Sequence, residues 1–379
     1  MDDFDAIIEL ADECFPGDRD SGGMLARWPH CYIREPERMR NYLIMKDGPK
    51  VISMVGYIDQ AVLVEGDEVK VAGITGVATT LNYRRQGLMT KLLNDCIIKM
   101  GEEGYAFSDL GGDRIRYGRF GWESAGRQWW FDVTRRSILT AATPTGYEVV
   151  QYPTSPEEVE GTFALHMKET TGVKRTRALH EIILGRKGKQ VWLARDSKGV
   201  GAYVVVDSDE RWQAIVEYSG SAEGVHAILM HLVKVLGSEF LHVISPWSHP
   251  LNKMFFAISA RWGVSPTRML KIIDLNATLS GFTNQLANRY RVLGLQGKRA
   301  IVLSVEETGQ KARIVFSPDG VEVGDAADTQ RAFTLPERRM VRLLFGPGMQ
   351  RLEFNLPSNA RFLEGLLPLD FHIWENEAV

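Results

Sequence analysis

Apolar residues recur at Phe4, Ile7, Ile8, Ala11, Cys14 and Phe15, the spacing of one face of a helix. Runs rich in Val, Ile and Thr follow at 51–58, 61–64 and 69–79 and read as strands. The pattern then predicts an amphipathic helix over 88–100, an apolar strand at 105–110 and a short helix capped by Asp113. A strand at 128–133 is expected to close this first sheet, and Thr140-Ala-Ala-Thr-Pro-Thr-Gly146 has linker composition. Beyond it the grammar repeats. A strand at 147–152 precedes Ser155-Pro-Glu-Glu158, a capping box with Pro at the first helical position. Strands at 190–195, 201–206 and 211–218, a helix at 222–236, a strand at 240–245, a helix at 249–262 and a strand at 268–275 complete the second unit. In the last hundred residues a helix carries Leu279, Phe282, Leu286, Tyr290 and Leu293 on one face. Short strands follow at 300–306, 312–317 and 320–323, and a helix at 336–345 is ended by Gly346-Pro347. The pattern predicts an α+β (mixed α/β) chain with units at 1–140, 146–275 and 276–379, two mixed sheets flanked by helices and a smaller α+β module.

Composition narrows the function classes. A chain of 379 residues with 44% hydrophobic and 25% charged residues is large enough for two or three domains. A net charge of -3 argues against nucleic acid as a bulk partner, because neutralising phosphates needs a basic excess. Cys14, Cys31 and Cys96 are odd in number and read as reduced thiols, so a cytoplasmic location is expected. The acidic start Met1-Asp-Asp-Phe-Asp5 is unlike a signal peptide, and no apolar run approaches a membrane span, so no membrane partner is expected. The eight histidines are scattered, so no metal site is expected.

The candidate chemistry lies in Val77-Ala-Thr-Thr-Leu-Asn-Tyr-Arg-Arg-Gln-Gly-Leu-Met-Thr90. A strand ends at Val77, Ala78 and Thr79, a basic loop follows, and a helix starts near Gly87. Unpaired N–H groups and positive potential at a helix N-terminus suit a phosphate. Arg84 and Arg85 add charge-assisted donors, and Gly87 lets the backbone approach a ligand. Taken alone, such a loop is an ordinary basic surface turn. Some thirty residues on, however, stands a second motif, Tyr117-Gly-Arg-Phe-Gly-Trp122. Read singly, Tyr117 would be a packing tyrosine, and Arg119, Phe120 and Trp122 pack or brace the turn.

Together these motifs, strand, R-x-x-G loop, helix, strand and Y-x-x-x-G-aromatic, resemble the acetyl-CoA core of the GNAT acetyltransferase superfamily. No Gly-Lys-Ser/Thr follows the glycine and G-x-G-x-x-G is absent, which sets aside P-loop and Rossmann readings. The resemblance implies two GNAT-type sheets and acetyl-CoA as co-substrate, with no metal. Arg84, Arg85, Gln86, Gly87, Leu88, Met89 and Thr90 would cradle the pyrophosphate, Val77, Ala78 and Thr79 would face the pantetheine arm, and Tyr117 would be the general acid. Met89 departs from the Gly or Ala of many relatives. The matching turn of the second unit, Ser219-Gly-Ser-Ala-Glu-Gly224, lacks arginine and carries Glu223, which implies a copy without cofactor. Two GNAT-like units followed by a sterol-carrier-like module resemble the Eis (enhanced intracellular survival) acetyltransferases. That likeness implies a terminal carboxylate, here on Val379, as general base, with Trp28, Glu375 and Glu377 near the acceptor and a homo-oligomer, hexameric in the family. His372, Asp109 and Glu123 are alternative bases. The activity implied is acetyl transfer to a primary amine, an aminoglycoside-like polyamine or a lysine side chain. A silent CoA-binding scaffold and a lipid carrier with a vestigial transferase are the alternatives.

Overall fold

A computed structural model of the protein describes residues 3–15, 22–152, 155–207, 213–237, 239–327, 329–348 and 353–379. Its strands are β1 (Tyr42–Asp47), β2 (Lys50–Val64), β3 (Asp67–Thr79), β4 (Phe107–Leu110), β5 (Glu123–Ala125) and β6 (Gln128–Thr134). Next come β7 (Glu148–Gln151), β8 (Thr171–Val173), β9 (Lys189–Asp196), β10 (Gly199–Asp207), β11 (Gln213–Gly220) and β12 (Phe240–Pro246). Then follow β13 (Arg261–Ser265), β14 (Arg268–Ile272), β15 (Arg299–Val305), β16 (Lys311–Ser317), β17 (Gly320–Asp325) and β18 (Phe333–Leu335). The architecture is mixed α/β, three mixed sheets flanked by helices.

The first sheet runs β1-β2-β3-β4-β14-β5, with β8 also paired to β2. The second runs β13-β6-β12-β11-β10-β9-β7, and the third β17-β16-β15-β18. One sequence expectation is overturned here. The strand at 128–133 does not close the first sheet: β6 pairs with β12 and β13 in the second. Its place is taken by β14, which lies between β4 and β5. Alternating apolar residues specify a strand but not its partner, and Phe131 and Val133 find their burial in the second core. The two sheets therefore exchange strands across the linker.

The expected helix at 249–262 is a second correction. The helix stops at Ile258, and β13 begins at Arg261. Gly263 lies so close against the Trp130 ring that a Cβ there would overlap it, so this short strand is held as an edge beside β6. The helix expected across 279–293 is two helices, Leu275–Ser280 and Thr283–Val292, with Leu293 half exposed.

Local signals act where the sequence puts them. Ser155 and Glu158 form a reciprocal capping box on the helix Pro156–His166. The helix Glu337–Phe345 ends at Gly346, whose φ of 74° is a glycine conformation. The third sheet's core is continuous with the back of the first sheet. There Phe107 meets Phe345 at 5.6 Å and Phe371 at 5.7 Å between ring centroids, so the C-terminal segment is anchored by aromatic packing.

Candidate active site

β3 pairs with β4 in parallel only through residues 71–73 against 107–109. Beyond Gly73 the two strands separate, and Ile74, Thr75, Ala78 and Thr79 keep ladder partners on the β2 side alone. The register of that remaining pairing shifts around Gly76, which takes a φ of 58°. A bulge of this kind bends a strand and re-aims its backbone. The result is a wedge whose one wall is a free strand edge, the surface onto which an extended amide chain adds by strand pairing.

At the end of that edge the loop 84–87 turns into the helix Leu88–Glu102. Arg85 has a φ of 65° and Gly87 a φ of 78°. Positive-φ residues on either side of Gln86, just before a helix start, are the kind of turn whose backbone N–H groups form a concave anion-binding nest. The helix has no side-chain cap and no acidic residue in its first turn, so its orphan donors and dipole are open to an anion. Arg84 and Arg85 are exposed at the rim, and Arg84 Nε donates to Thr79 O at 3.1 Å. Gln86 is exposed beside them. Leu88 and Thr90 are half-buried in the first turn, and the Met89 side chain packs onto the core beneath the helix. The methionine side chain thus occupies core space, and no side chain caps the backbone N–H groups of this first turn. Ala78 is buried, and Thr79 Oγ1 lies 2.8 Å from Ser53 Oγ on β2.

Tyr117 comes to the wedge from the other wall. Asp113 caps the helix Arg114–Gly118 by accepting from the N–H groups of Ile115 and Arg116. This fixes Tyr117 one turn later, its ring against Gly112, where a Cβ would stand 2.6 Å from the ring. Tyr117 is 7% exposed. Burial pushes its phenol above the ordinary value, partly offset by Arg116, so it stays protonated at neutral pH. Trp122 is fully buried and Phe120 lies under Arg119, the bracing role expected of them.

The same cleft, about 390 Å³, contains Val379. The final residues cross from the second sheet into the first and are held at every step. Arg186 Nη1 donates to Asn376 O at 2.7 Å, Gln60 Nε2 to Glu377 O at 3.1 Å and His30 Nε2 to Ala378 O at 2.8 Å. Burial, helped by Arg186, lowers the His30 pKa to about 3, so the ring is neutral and donates from Nε2. The Val379 side chain packs directly over Gly73, at the point where β3 and β4 part. Any larger residue at 73 would collide with it. Trp28 also lines this cleft, half-buried under the Arg186 guanidinium at 4.3 Å.

Two expected acceptor contacts and two expected bases are placed otherwise. The Glu377 carboxylate points away from the cleft, accepting from Arg175, Val173 N and Trp374 N, and its side chain is 1% exposed. It is a structural acid here, since every lone pair faces a donor. Glu123 is taken up by Arg114 and Arg338, and His372 is buried against Trp374. Glu375 is exposed, with Arg268 4.0 Å away. Asp109 is buried and paired with Arg268, and burial raises its pKa. The residues that sequence reasoning missed are His30, Gln60, Arg186 and Arg175, the groups that grip the tail. Each lies far from it in the chain, and no local pattern marks them.

Residues 1–125 match the model of the Acetyltransferase (GNAT) domain, and the open wedge, the uncapped helix and Tyr117 all lie within that span. No curated protein matches the sequence. Along its whole length the chain shares its fold with solved structures. One is a protein of Enterococcus faecalis V583 described as a probable N-acyltransferase, with 16% identity and a TM-score of 0.72, covering 98% of this chain and 97% of that one. Another is a GCN5-related N-acetyltransferase from Kribbella flavida, with 14% identity and a TM-score of 0.69, covering 98% and 95%. Eis1 from Mycobacterium abscessus has 17% identity and a TM-score of 0.64, covering 92% and 94%. Among the described residues no group of side chains is arranged to hold a metal ion, and no helix is long and apolar enough to cross a membrane.

Proposed function

We propose that the protein is an acetyl-CoA-dependent N-acetyltransferase acting on a primary amine in the cleft of the first sheet. The observation that carries this reading is the meeting of Tyr117 and Val379 in one cleft, at the open edge of β3 and beside an uncapped helix start. The loop amides of 85–89 with Arg84 and Arg85 hold the pyrophosphate. The free edge at residues 74–79 pairs with the pantetheine amides, which sets the thioester at the split. A backbone N–H near Val77 polarises the thioester carbonyl. The amine nitrogen attacks the carbonyl carbon while its proton passes to the Val379 carboxylate. The carbon–sulfur bond breaks, its electron pair goes to sulfur, and Tyr117 supplies the proton that makes the free thiol. A terminal carboxylate is a weak base in water, so its part here is to take the proton as the carbon–nitrogen bond forms.

The acceptor is read more narrowly than a polyamine. Arg27 and Arg116 line the cleft together with Phe15, Met24 and Trp28, while Asp113 is the one carboxylate side chain among the described lining residues. An acidic lining that would draw in a polycation is therefore not the feature that supports the acceptor, and a mono-amine with an apolar body fits these walls. Thiol release from acetyl-CoA, followed with a panel of primary amines, tests the proposal. Release should depend on the amine, with acetyl found on its nitrogen by mass spectrometry. Saturable acetyl-CoA binding without transfer to any amine would point instead to a CoA-binding scaffold.

A binding prediction follows from the loop. Arg84→Ala combined with Arg85→Ala should weaken acetyl-CoA binding by about 3 kcal/mol, the worth of two charge-assisted contacts at an exposed rim. Calorimetry should show one site per chain. In the second unit Ser221 accepts from Gly224 N and caps the helix Ala222–Val235, and Glu223 sits in its first turn, so that helix start is already occupied. Two equivalent sites, or unchanged affinity in the double variant, would contradict the assignment of the loop.

A further inference from the structure

The second sheet contains the same split as the first, and the chain fills it with its own C-terminus. β11 pairs in parallel with β12 only through residues 213–215 against 241–243. Residues 216–220 then part from β12 just as residues 74–79 part from β4. Successive residues of a strand face opposite sides of a sheet, so Glu217 and Tyr218 mark the two faces at this opening. The tail touches both. The Trp374 ring stands 5.1 Å from that of Tyr218 and joins the core on that side, while Asn376 Nδ2 donates to Glu217 Oε2 at 2.9 Å on the other. A segment that contacts opposite faces within three residues passes through the split.

Once through, the tail is latched by charge. Arg175 donates to both Glu217 oxygens, at 2.9 and 2.8 Å, and to Glu377 Oε1 at 2.8 Å, with all three side chains at most 1% exposed. Tyr203 O–H completes the shell of Glu217 at 2.7 Å. His166 and His180 also face this cluster, His166 Nε2 bonding to Val173 O and His180 Nε2 lying 3.2 Å from Thr162 Oγ1. Arg175 is thus committed to two carboxylates, one on β11 and one on the tail. Burial raises the Glu377 pKa, and the nearby Glu217 adds to the rise, while Arg175 pulls it down.

We infer that the second unit's split serves as a receptor for the chain's own C-terminus, and that Arg175 is a positioning residue that sets Val379 in the cleft of the first sheet. The dock stands on the contacts above; the catalytic use of Val379 rests on the function proposed here. One observation explains two facts: the second unit keeps the fold while its helix start is capped, and the tail reaches a cleft built by another sheet.

Carboxypeptidase digestion of the full chain tests the dock without reference to activity. Val379 and Ala378 should resist release from the native protein. Arg175→Gln, which frees the latch, should speed release at least tenfold. Asn376→Ala removes one hydrogen bond and is the milder variant if Arg175→Gln proves poorly folded by thermal unfolding; it should show the same change in smaller measure. In the kinetics kcat should fall while KM for acetyl-CoA holds, and Arg175→Lys should recover part of the loss. If both Arg175→Gln and Asn376→Ala leave release unchanged, or if the native chain loses Val379 as fast as a denatured one, the receptor is refuted. If the tail is freed and kcat is unaffected, the receptor stands and the terminal carboxylate is not the base.

Discussion

Tyr117→Phe should leave acetyl-CoA binding intact and lower kcat by about a hundredfold or more, the usual worth of a positioned general acid. The substitution removes one hydroxyl from a ring that is wedged against Gly112 and held by the helix that Asp113 caps. Packing and stability should therefore change little. The energetic size is about 3 kcal/mol of barrier, which is more than the roughly 1 kcal/mol that loss of an ordinary hydrogen-bonded hydroxyl costs. The phenol is already pushed above its ordinary pKa by burial, so it is present as the acid across the neutral range. The variant's residual rate should lose its sensitivity to the leaving group's proton, visible as a flatter alkaline limb in the pH profile. Steady-state kinetics with separate determination of KM for acetyl-CoA would check this. A near-native kcat would return Tyr117 to a purely structural role.

How much of this was readable in the chain depends on the range of the interactions. The loop 84–87, the Asp113 cap and the Ser155 box are local, set by residues within a few positions of each other, and they stand where their spacing puts them. Strand existence was legible too, because alternation over 51–64 and 69–79 has one face to bury. Sheet membership was not. β6 and β14 carry similar apolar alternation, and only the competition between two cores decides which sheet takes each.

The tail shows the same limit in its charges. Glu377, in a polar C-terminal stretch, reads as a solvated acid that could greet a cationic acceptor. Its burial depends on Arg175, 202 positions away, which at the same time holds Glu217 on β11. A charge is buried only where a partner meets it, and that partner is a property of the fold. By contrast, placing Val379 beside Tyr117 came from resemblance to a family, and the cleft brings the two together. The apolar character of Phe371, Ile373 and Trp374, all at most 2% exposed, was the local hint that this terminus is anchored.

The second large effect concerns the carboxylate proposed as base, that of Val379. The Val379 side chain rests on Gly73 where β3 leaves β4, with Ala378 tied to His30 and Glu377 O to Gln60. Residues added after Val379 convert its carboxylate to a neutral amide and must be accommodated in a cleft of about 390 Å³. On the proposed mechanism the base is then lost and the acceptor's space is filled, while the loop 84–87 and the edge of β3 are untouched. Fold and acetyl-CoA binding at the loop should persist, and turnover should vanish, a loss well beyond the hundredfold expected for the acid alone. The most direct test compares the chain ending at Val379 with the same chain extended by two glycines, measuring acetyl-CoA affinity by calorimetry and amine-dependent thiol release side by side. Retained binding with abolished release is the predicted result; undiminished release from the extended chain would contradict it.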